Sequence, residues 1–232
     1  ANRQATRLVT LAGARGNKTA IDWANYAAPK PKFTGRRVFR NYDLAELANF
    51  IDWAPFFQTW DLAGAYPAIL TDDIVGESAR RVLSDAQRML KRLIDGRWLT
   101  ANGVIGLYPA NTVGDDDIEI YTDDSRSEVL MTWRGLRMQT VRPVVEGEDG
   151  RKLKRPNRCL ADYIAPKGSG PNSTICDHIG LFAVTSGIGT EKKEKQFLDD
   201  HDDYSAIMLK ALAARPPEAF AERMPQPVRT AF

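Results

Sequence analysis

The first strongly patterned segment of the chain is residues 44–51, where apolar side chains recur at i, i+3, i+4 and i+7. This spacing predicts a helix, and the pair Asp43 and Glu46 is typical of a capping box at its N-terminal end. Pro55 disfavours helical geometry in the residue before it, so the helix is predicted to end near Ala54. The same helical spacing recurs in two longer segments, residues 77–95 and 192–213.

The middle of the chain changes to patterns that are typical of β-strands. Five segments fit them: residues 104–108, 118–121, 128–133, 160–164 and 179–185. Residues 123–127 are predicted as a hairpin turn, and residues 146–156 as a polar loop. Strands grouped centrally, with helices before and after them, predict an α+β fold with a largely antiparallel sheet rather than a doubly wound Rossmann fold.

The two ends of the chain differ from this central pattern. Residues 1–41 hold nine basic residues and one acidic residue, and the prolines near residue 30 indicate an extended linker. We interpret this segment as a basic, solvated lead-in and residues 42–232 as one domain. At the other end, Pro216 and Pro217 interrupt a helical pattern, and no closing element precedes Phe232. We therefore expect a domain that is truncated at its C-terminus.

Composition narrows the class of protein without indicating an activity. The 232 residues carry a formal net charge of +2, which does not point to a polyanionic partner. The basic lead-in lacks interleaved aromatic residues, so a solvated segment is favoured over a nucleic-acid-binding arm. No apolar run approaches the ~20 residues of a membrane span, and the start of the chain lacks a signal-peptide core. With only two cysteines, the sequence predicts a cytoplasmic protein with no membrane or nucleic-acid partner.

Motifs of several enzyme classes do not occur in the sequence. It contains no P-loop, no GxGxxG and no GxSxG. Its cysteines and histidines fit no zinc-site spacing, so no metal site is predicted. The acidic run 115–117 has the oxygen ligands that a hard cation needs. No EF-hand spacing surrounds the run, however, and we predict a solvated turn.

Asp52 differs from the other acidic residues in its surroundings. The predicted helix places it at a C-terminal end, where the helix dipole disfavours an acid by ~0.3–1 kcal/mol. Four aromatic residues flank it: Trp53, Phe56, Phe57 and Trp60. Such a corner suits a cationic ligand, because the acid pairs with the charge and the rings add cation–π attraction. Spacing alone leaves open the alternative, which is an exposed acid beside core aromatic residues.

Residues 51–70, IDWAPFFQTWDLAGAYPAIL, are similar to the IDWTPFF…TW…GKYP segment of the C-terminal activation domain of cobalamin-dependent methionine synthase. Further segments resemble this family in the same order: residues 104–121, 159–170, 179–187 and 201–213. The resemblance covers nearly the whole chain. It weakens at residues 212–229, where prolines enter the family's helix. The family's Arg-Pro-Ala-Pro-Gly-Tyr-Pro stretch, which lies further downstream, is absent.

The resemblance implies a C-shaped, single-domain α+β fold. It implies a domain that binds S-adenosylmethionine and supports the reductive remethylation of cob(II)alamin in a methyltransferase. The partners would be the cobalamin-binding domain of the same enzyme, which carries the cobalamin, and flavodoxin or a flavoprotein reductase, which supplies an electron. We expect no turnover from this chain alone. The alternative is a diverged or split docking module, itself non-catalytic, that meets a corrinoid or flavodoxin partner.

The resemblance also assigns site residues. The family's S-adenosylmethionine-binding aspartate lies in the IDW motif and matches Asp52. The ligand's cationic groups, a sulfonium and an α-ammonium, are groups that this carboxylate would attract. Trp53 and Phe57 are expected to shape the wall beside it, and Glu218 stands at its family position in changed surroundings. No catalytic residue and no metal ligand is assigned, because the corrin cobalt carries the difficult chemistry.

Overall fold

The computed structural model describes residues 7–142, 144–146, 152–168, 175–224 and 226. The chain divides into two compact units, each assembled from two stretches of sequence. Unit 1 comprises the described residues within 1–35 and 106–180, and unit 2 comprises those within 36–105 and 181–231. Each unit has a hydrophobic core of its own.

The helices and strands follow one another along the chain in a mixed order. The α-helices are α1 (Leu11–Arg15), α2 (Leu44–Ala48), α3 (Ala54–Thr59), α4 (Gly76–Asp95), α5 (Thr190–Asp199), α6 (Asp203–Ala213) and α7 (Arg215–Arg223). The strands are β1 (Gly35–Phe39), β2 (Thr100–Val113), β3 (Asp117–Tyr121), β4 (Val129–Arg134), β5 (Val144–Glu146), β6 (Lys152–Lys154) and β7 (Asp177–Ile188). Short 3₁₀ helices span Trp23–Asn25, Ala68–Thr71 and Leu160–Tyr163.

The main sheet has the strand order β1-β2-β3-β4, and β7 also pairs with β2. Strands β2 and β3 are antiparallel, with Asn111 opposite Glu119, and β4 continues the antiparallel arrangement with Trp133 opposite Ile118. Strands β5 and β6 form a separate antiparallel pair. This open antiparallel sheet, flanked by helices, confirms the predicted α+β class.

Most of the predicted strands are present, and one is wrong. Of the predicted strand 160–164, residues Leu160–Tyr163 form a 3₁₀ helix instead. The Asp162 carboxylate accepts a hydrogen bond from the Cys159 backbone N–H at 3.0 Å, and such local bonds compete with strand pairing. The segment 146–156, predicted as a polar loop, contains β6 and the end of β5, while residues 147–151 lie outside the described residues.

Unit 2 contains a core of aromatic and aliphatic side chains. Helix α4 matches the predicted segment 77–95 and turns its apolar face, including Leu83 and Leu93, into this core. Phe56 and Phe57 of α3 are fully buried in the same cluster, as is Leu212 of α6. The helical periodicity of the sequence therefore reported the buried face of α4 correctly.

The predicted helix over residues 192–213 is two helices, α5 and α6. The break falls at His201, whose φ of +56° is left-handed, and Asp202 caps α6 by accepting a hydrogen bond from Ser205 N at 3.0 Å. Pro216 and Pro217 occupy the first turn of a new helix, α7, where a missing backbone N–H costs no helical hydrogen bond. The cost of an interior proline therefore does not apply there. Residues 227–232, on which the expected truncation rests, lie outside the described residues.

Candidate functional site

Asp52 lies immediately before α3 rather than at the end of the preceding helix, so its predicted position is wrong. Helix α2 ends at Ala48, and α3 begins at Ala54 with Pro55 in its first turn. Proline is favoured in the first turn of a helix, so Pro55 starts a helix here where the prediction had it ending one. The argument that a helix dipole disfavours this acid therefore does not apply.

The Asp52 carboxylate is held in one orientation and faces solvent. Its Oδ1 atom accepts a hydrogen bond from the backbone N–H of Ala54 at 2.9 Å. Within the described part of the chain, Oδ2 has no hydrogen-bond or ion-pair partner. The side chain thus presents a charged oxygen to solvent from a fixed position at the start of α3.

The aromatic residues next to Asp52 differ in exposure. Trp53 is half-buried and meets Phe56 edge-on, with ring centroids 5.4 Å apart. Phe57 is fully buried and stacks on Tyr66, with centroids 6.1 Å apart. Phe57 therefore has no exposed face of its own, whereas Tyr66 is 40% exposed. Sequence reasoning did not single out Tyr66, although it belongs to the AYP part of the segment that carried the resemblance.

Glu218, the second predicted carboxylate, lies in the first turn of α7. It is exposed, and Arg215 Nη1 donates a hydrogen bond to its Oε2 at 2.9 Å. Asp52 and Glu218 both belong to unit 2. Among the described residues, Asp52 and Glu218 share no hydrogen-bond or ion-pair partner.

A cavity of about 770 Å³ lies in unit 2, between the segment before α2, the end of α4 and the start of β2. Its lining includes Tyr42, Asp43, Asp95 and Arg97, but neither Asp52 nor Glu218. A volume of this size falls within the range that small-molecule sites commonly have. The predicted ligand residues and this cavity are therefore different parts of unit 2.

Residues 114–116 form a turn that leads into β3, as was predicted for the acidic run 115–117, but the run is not solvated throughout. Asp116 is buried and accepts a hydrogen bond from Arg137 Nε at 2.6 Å, and Asp117 pairs with Arg134 on the surface. In the described ranges, no three histidine, cysteine, aspartate or glutamate side chains come together as a metal site would require. Cys159 is buried and Cys176 exposed, both as free thiols.

The described helices include none that is both long and apolar enough to cross a membrane.

The open antiparallel sheet flanked by helices, together with the segment around Asp52, fits the α+β activation domain of a methionine synthase. The chain belongs to the family described as "Vitamin B12 dependent methionine synthase, activation domain", whose sequence profile matches residues 43–232. The resemblance stated from residues 51–70 is thereby confirmed.

A solved structure supports the same assignment. The crystal structure described as the MetH reactivation domain bound to AdoHcy is 44% identical in sequence and superposes with a TM-score of 0.82. The match covers 97% of this chain and 64% of the other, so the chain spans less than two thirds of the length of that relative. The helices and the open antiparallel sheet described above match that fold.

Proposed function

We propose that this domain binds S-adenosylmethionine and supports the reductive remethylation of cobalamin in a methionine synthase. The proposal is supported by the family assignment and by the relative that binds AdoHcy, which is the product left when S-adenosylmethionine gives up its methyl group. Cobalamin, held by another domain of the enzyme, supplies the cobalt that accepts the methyl group. Flavodoxin or a flavoprotein reductase supplies the electron, and the reaction takes place in the cytoplasm.

Asp52 is the residue that we assign to the amino-acid end of the ligand. Its carboxylate is exposed, its Oδ1 is anchored by Ala54 N, and its negative charge complements an α-ammonium group. Charge-assisted hydrogen bonds of this kind are about twice as strong as neutral ones. This oriented, exposed carboxylate within the family's IDW segment is the observation that carries the proposal.

The neighbouring residues have different parts in this proposal. Trp53 is half-buried and offers an aromatic edge beside the carboxylate. Phe57, being fully buried, acts indirectly by supporting Tyr66 and the start of α3. Glu218 supplies a second exposed carboxylate from α7, with Arg215 as its present partner.

Isothermal titration calorimetry with AdoHcy and S-adenosylmethionine tests the assignment of Asp52. Asp52→Asn removes the charge but keeps an oxygen for the Ala54 N–H. We expect affinity to fall about ten- to hundredfold, because a hydrogen bond to a charged group contributes about 1.5–3 kcal/mol. Equal affinity of the two proteins would remove Asp52 from the site.

Asp72→Asn is the matched control for this experiment. Asp72 is also exposed, belongs to unit 2 and accepts a hydrogen bond at Oδ1 from the backbone N–H two residues later, at 2.9 Å. Its substitution is expected to leave affinity unchanged. A wild-type chain that binds neither compound, yet retains a cobalamin domain or flavodoxin in a pull-down, would instead support the docking-module alternative.

A further inference from the structure

The side chain of Glu46 in α2 joins α7, the helix that carries Glu218, to the segment before α2. Its Oε1 atom accepts a hydrogen bond from Arg223 Nε of α7 at 2.5 Å and another from the Tyr42 hydroxyl at 3.0 Å. Burial and the hydrogen bond to Glu46 raise the pKa of Tyr42, which keeps its hydroxyl protonated as a donor. One carboxylate oxygen thus connects α7 with the segment before α2.

Aromatic contacts surround this connection. Phe220 of α7 is fully buried, and its ring lies 4.6 Å from the ring of Tyr42, centroid to centroid. The guanidinium of Arg223 lies 5.9 Å from the ring centroid of Phe50. Polar and apolar contacts therefore fix the same face of α7 against the same part of unit 2.

Gly103 provides the space that this arrangement needs. A Cβ atom at this position would lie 2.8 Å from the Phe220 ring, closer than such contacts occur. The strand residue opposite Phe220 therefore has to lack a side chain for α7 to approach this closely. The position of α7 therefore depends on the carboxylate of Glu46, on the ring of Tyr42 and on the missing side chain at Gly103.

The connected elements are close in sequence to the two proposed ligand carboxylates. Glu46 precedes Asp52 by six residues, and α2 ends only four residues before it. On α7, Phe220 and Arg223 follow Glu218 by two and five residues, within the same helix. A shift of α7 relative to α2 would consequently move Glu218 with respect to Asp52.

We propose that Glu46 and Arg223 are positioning residues that fix α7, and with it Glu218, for the binding of S-adenosylmethionine. This proposal rests on the proposed function above. The Arg223 and Glu46 side chains are 23% and 38% exposed, and an ion pair so accessible to water contributes little to stability. Its geometry, which joins separate helices rather than neighbouring turns, is better explained by placement of α7.

A double-mutant cycle tests the pair. Glu46→Gln and Arg223→Gln are each expected to weaken binding of S-adenosylmethionine about tenfold, since small misplacements of binding groups are costly. The double variant should bind no more weakly than either single variant, because both remove the same interaction. Thermal midpoints are expected to change little in all three proteins.

The control cycle uses Lys195 and Asp199, an exposed ion pair within α5 of the same unit. Lys195→Gln and Asp199→Asn are expected to leave ligand affinity unchanged. Affinity that is also unaltered in Glu46→Gln or Arg223→Gln overturns the positioning role. So does a double variant in which the losses of the two single variants simply add.

A variant that already lacks the Glu218 carboxylate tests whether Glu46 acts through α7 and Glu218. In a Glu218→Gln protein, the additional Glu46→Gln substitution is expected to have no further effect on affinity. A tenfold loss that persists in this background contradicts a role through Glu218. Failure of the wild-type chain to bind overturns the proposed function itself, whereas wild-type binding with unaffected variants overturns the positioning role alone.

Discussion

Beside a small apolar cluster, unit 1 buries an arginine among carboxylates, whereas unit 2 has a larger core of apolar side chains such as phenylalanine and leucine. In unit 1, Arg137 is fully buried, and it donates to Asp116 Oδ1 at 2.6 Å, to Asp162 Oδ1 at 2.7 Å and to the Asn157 carbonyl at 2.7 Å. In unit 2, Phe56 and other rings fill the space between α3, α4 and α6.

The difference lies in how each kind of core tolerates change. An apolar core loses stability roughly in proportion to the volume removed, and it accepts swaps that conserve volume. A buried ion network depends on direction and pairing, because removal of one member leaves a charge without its partner in a low-dielectric interior. The stability of unit 1 should therefore be sensitive to the removal of a buried charge, and the stability of unit 2 to a change in buried side-chain volume.

Removal of the Arg137 guanidinium is expected to have the largest effect. Arg137→Met leaves Asp116 and Asp162 buried without their main partner and should lower the free energy of unfolding by ~3–5 kcal/mol, measured by urea denaturation. Arg134→Met is the control, because Arg134 is 77% exposed and its pair with Asp117 lies on the surface. That substitution should cost no more than ~1 kcal/mol. Equal losses for the two variants would contradict the central position of Arg137.

Creating a cavity in the apolar core of unit 2 is expected to have the next largest effect on the free energy of unfolding. Leu93→Ala removes a fully buried side chain of α4 and should cost about 3 kcal/mol. Leu93→Met nearly conserves volume and should cost less than ~1.5 kcal/mol. Hydrogen exchange would locate the losses, in unit 2 for Leu93→Ala and in unit 1 for Arg137→Met. Similar losses for the alanine and methionine variants would show that volume does not control this core.

Acid is expected to destabilise unit 1 through Asp162. Burial raises the pKa of this carboxyl, but hydrogen bonds from Arg137, Cys159 N and Thr19 N outweigh burial and lower the pKa below the ordinary value of 3.8. A pKa that is lower in the folded state means that the carboxylate stabilises the fold above about pH 4. That stabilisation is lost as the pH falls through the folded pKa.

The measurement is the urea midpoint at several pH values between 6 and 2.5. Asp162→Asn should be less stable at pH 6 and should lose less stability on acidification than the wild-type protein. Leu93→Ala serves as the control, because its curve should run parallel to the wild-type curve. An Asp162→Asn curve as steep as the wild-type curve would assign the acid sensitivity to other groups.

The candidate site belongs neither to the buried ion network of unit 1 nor to the apolar core of unit 2. Asp52 and Glu218 lie on the surface of unit 2, and their substitution removes no buried contact. The ligand experiments above are therefore expected to change affinity with little change in stability. This separation allows a binding defect to be distinguished from a folding defect.

Much of the architecture could be predicted from the sequence because it depends on local apolar periodicity. The spacing over residues 77–95 predicted α4, and alternation predicted β3 and β4 to within about one residue. The family, and with it the interest in Asp52, followed from residues 51–70. In each case the information lies in neighbouring residues, so no long-range contact had to be known.

Only the tertiary structure decided which polar residues are buried and where short helices begin. Asp116 was predicted to lie in a solvated turn, yet it is buried and pairs with the buried Arg137 and with the partly exposed Arg15. Asp52 was predicted at the end of a helix but lies just before one. The sequence around Glu46 does not indicate that Arg223, far along the chain, pairs with it. Hydrogen bonds between residues distant in sequence leave no periodic pattern. The polar partners of the core and of the site therefore emerge only once the chain has folded.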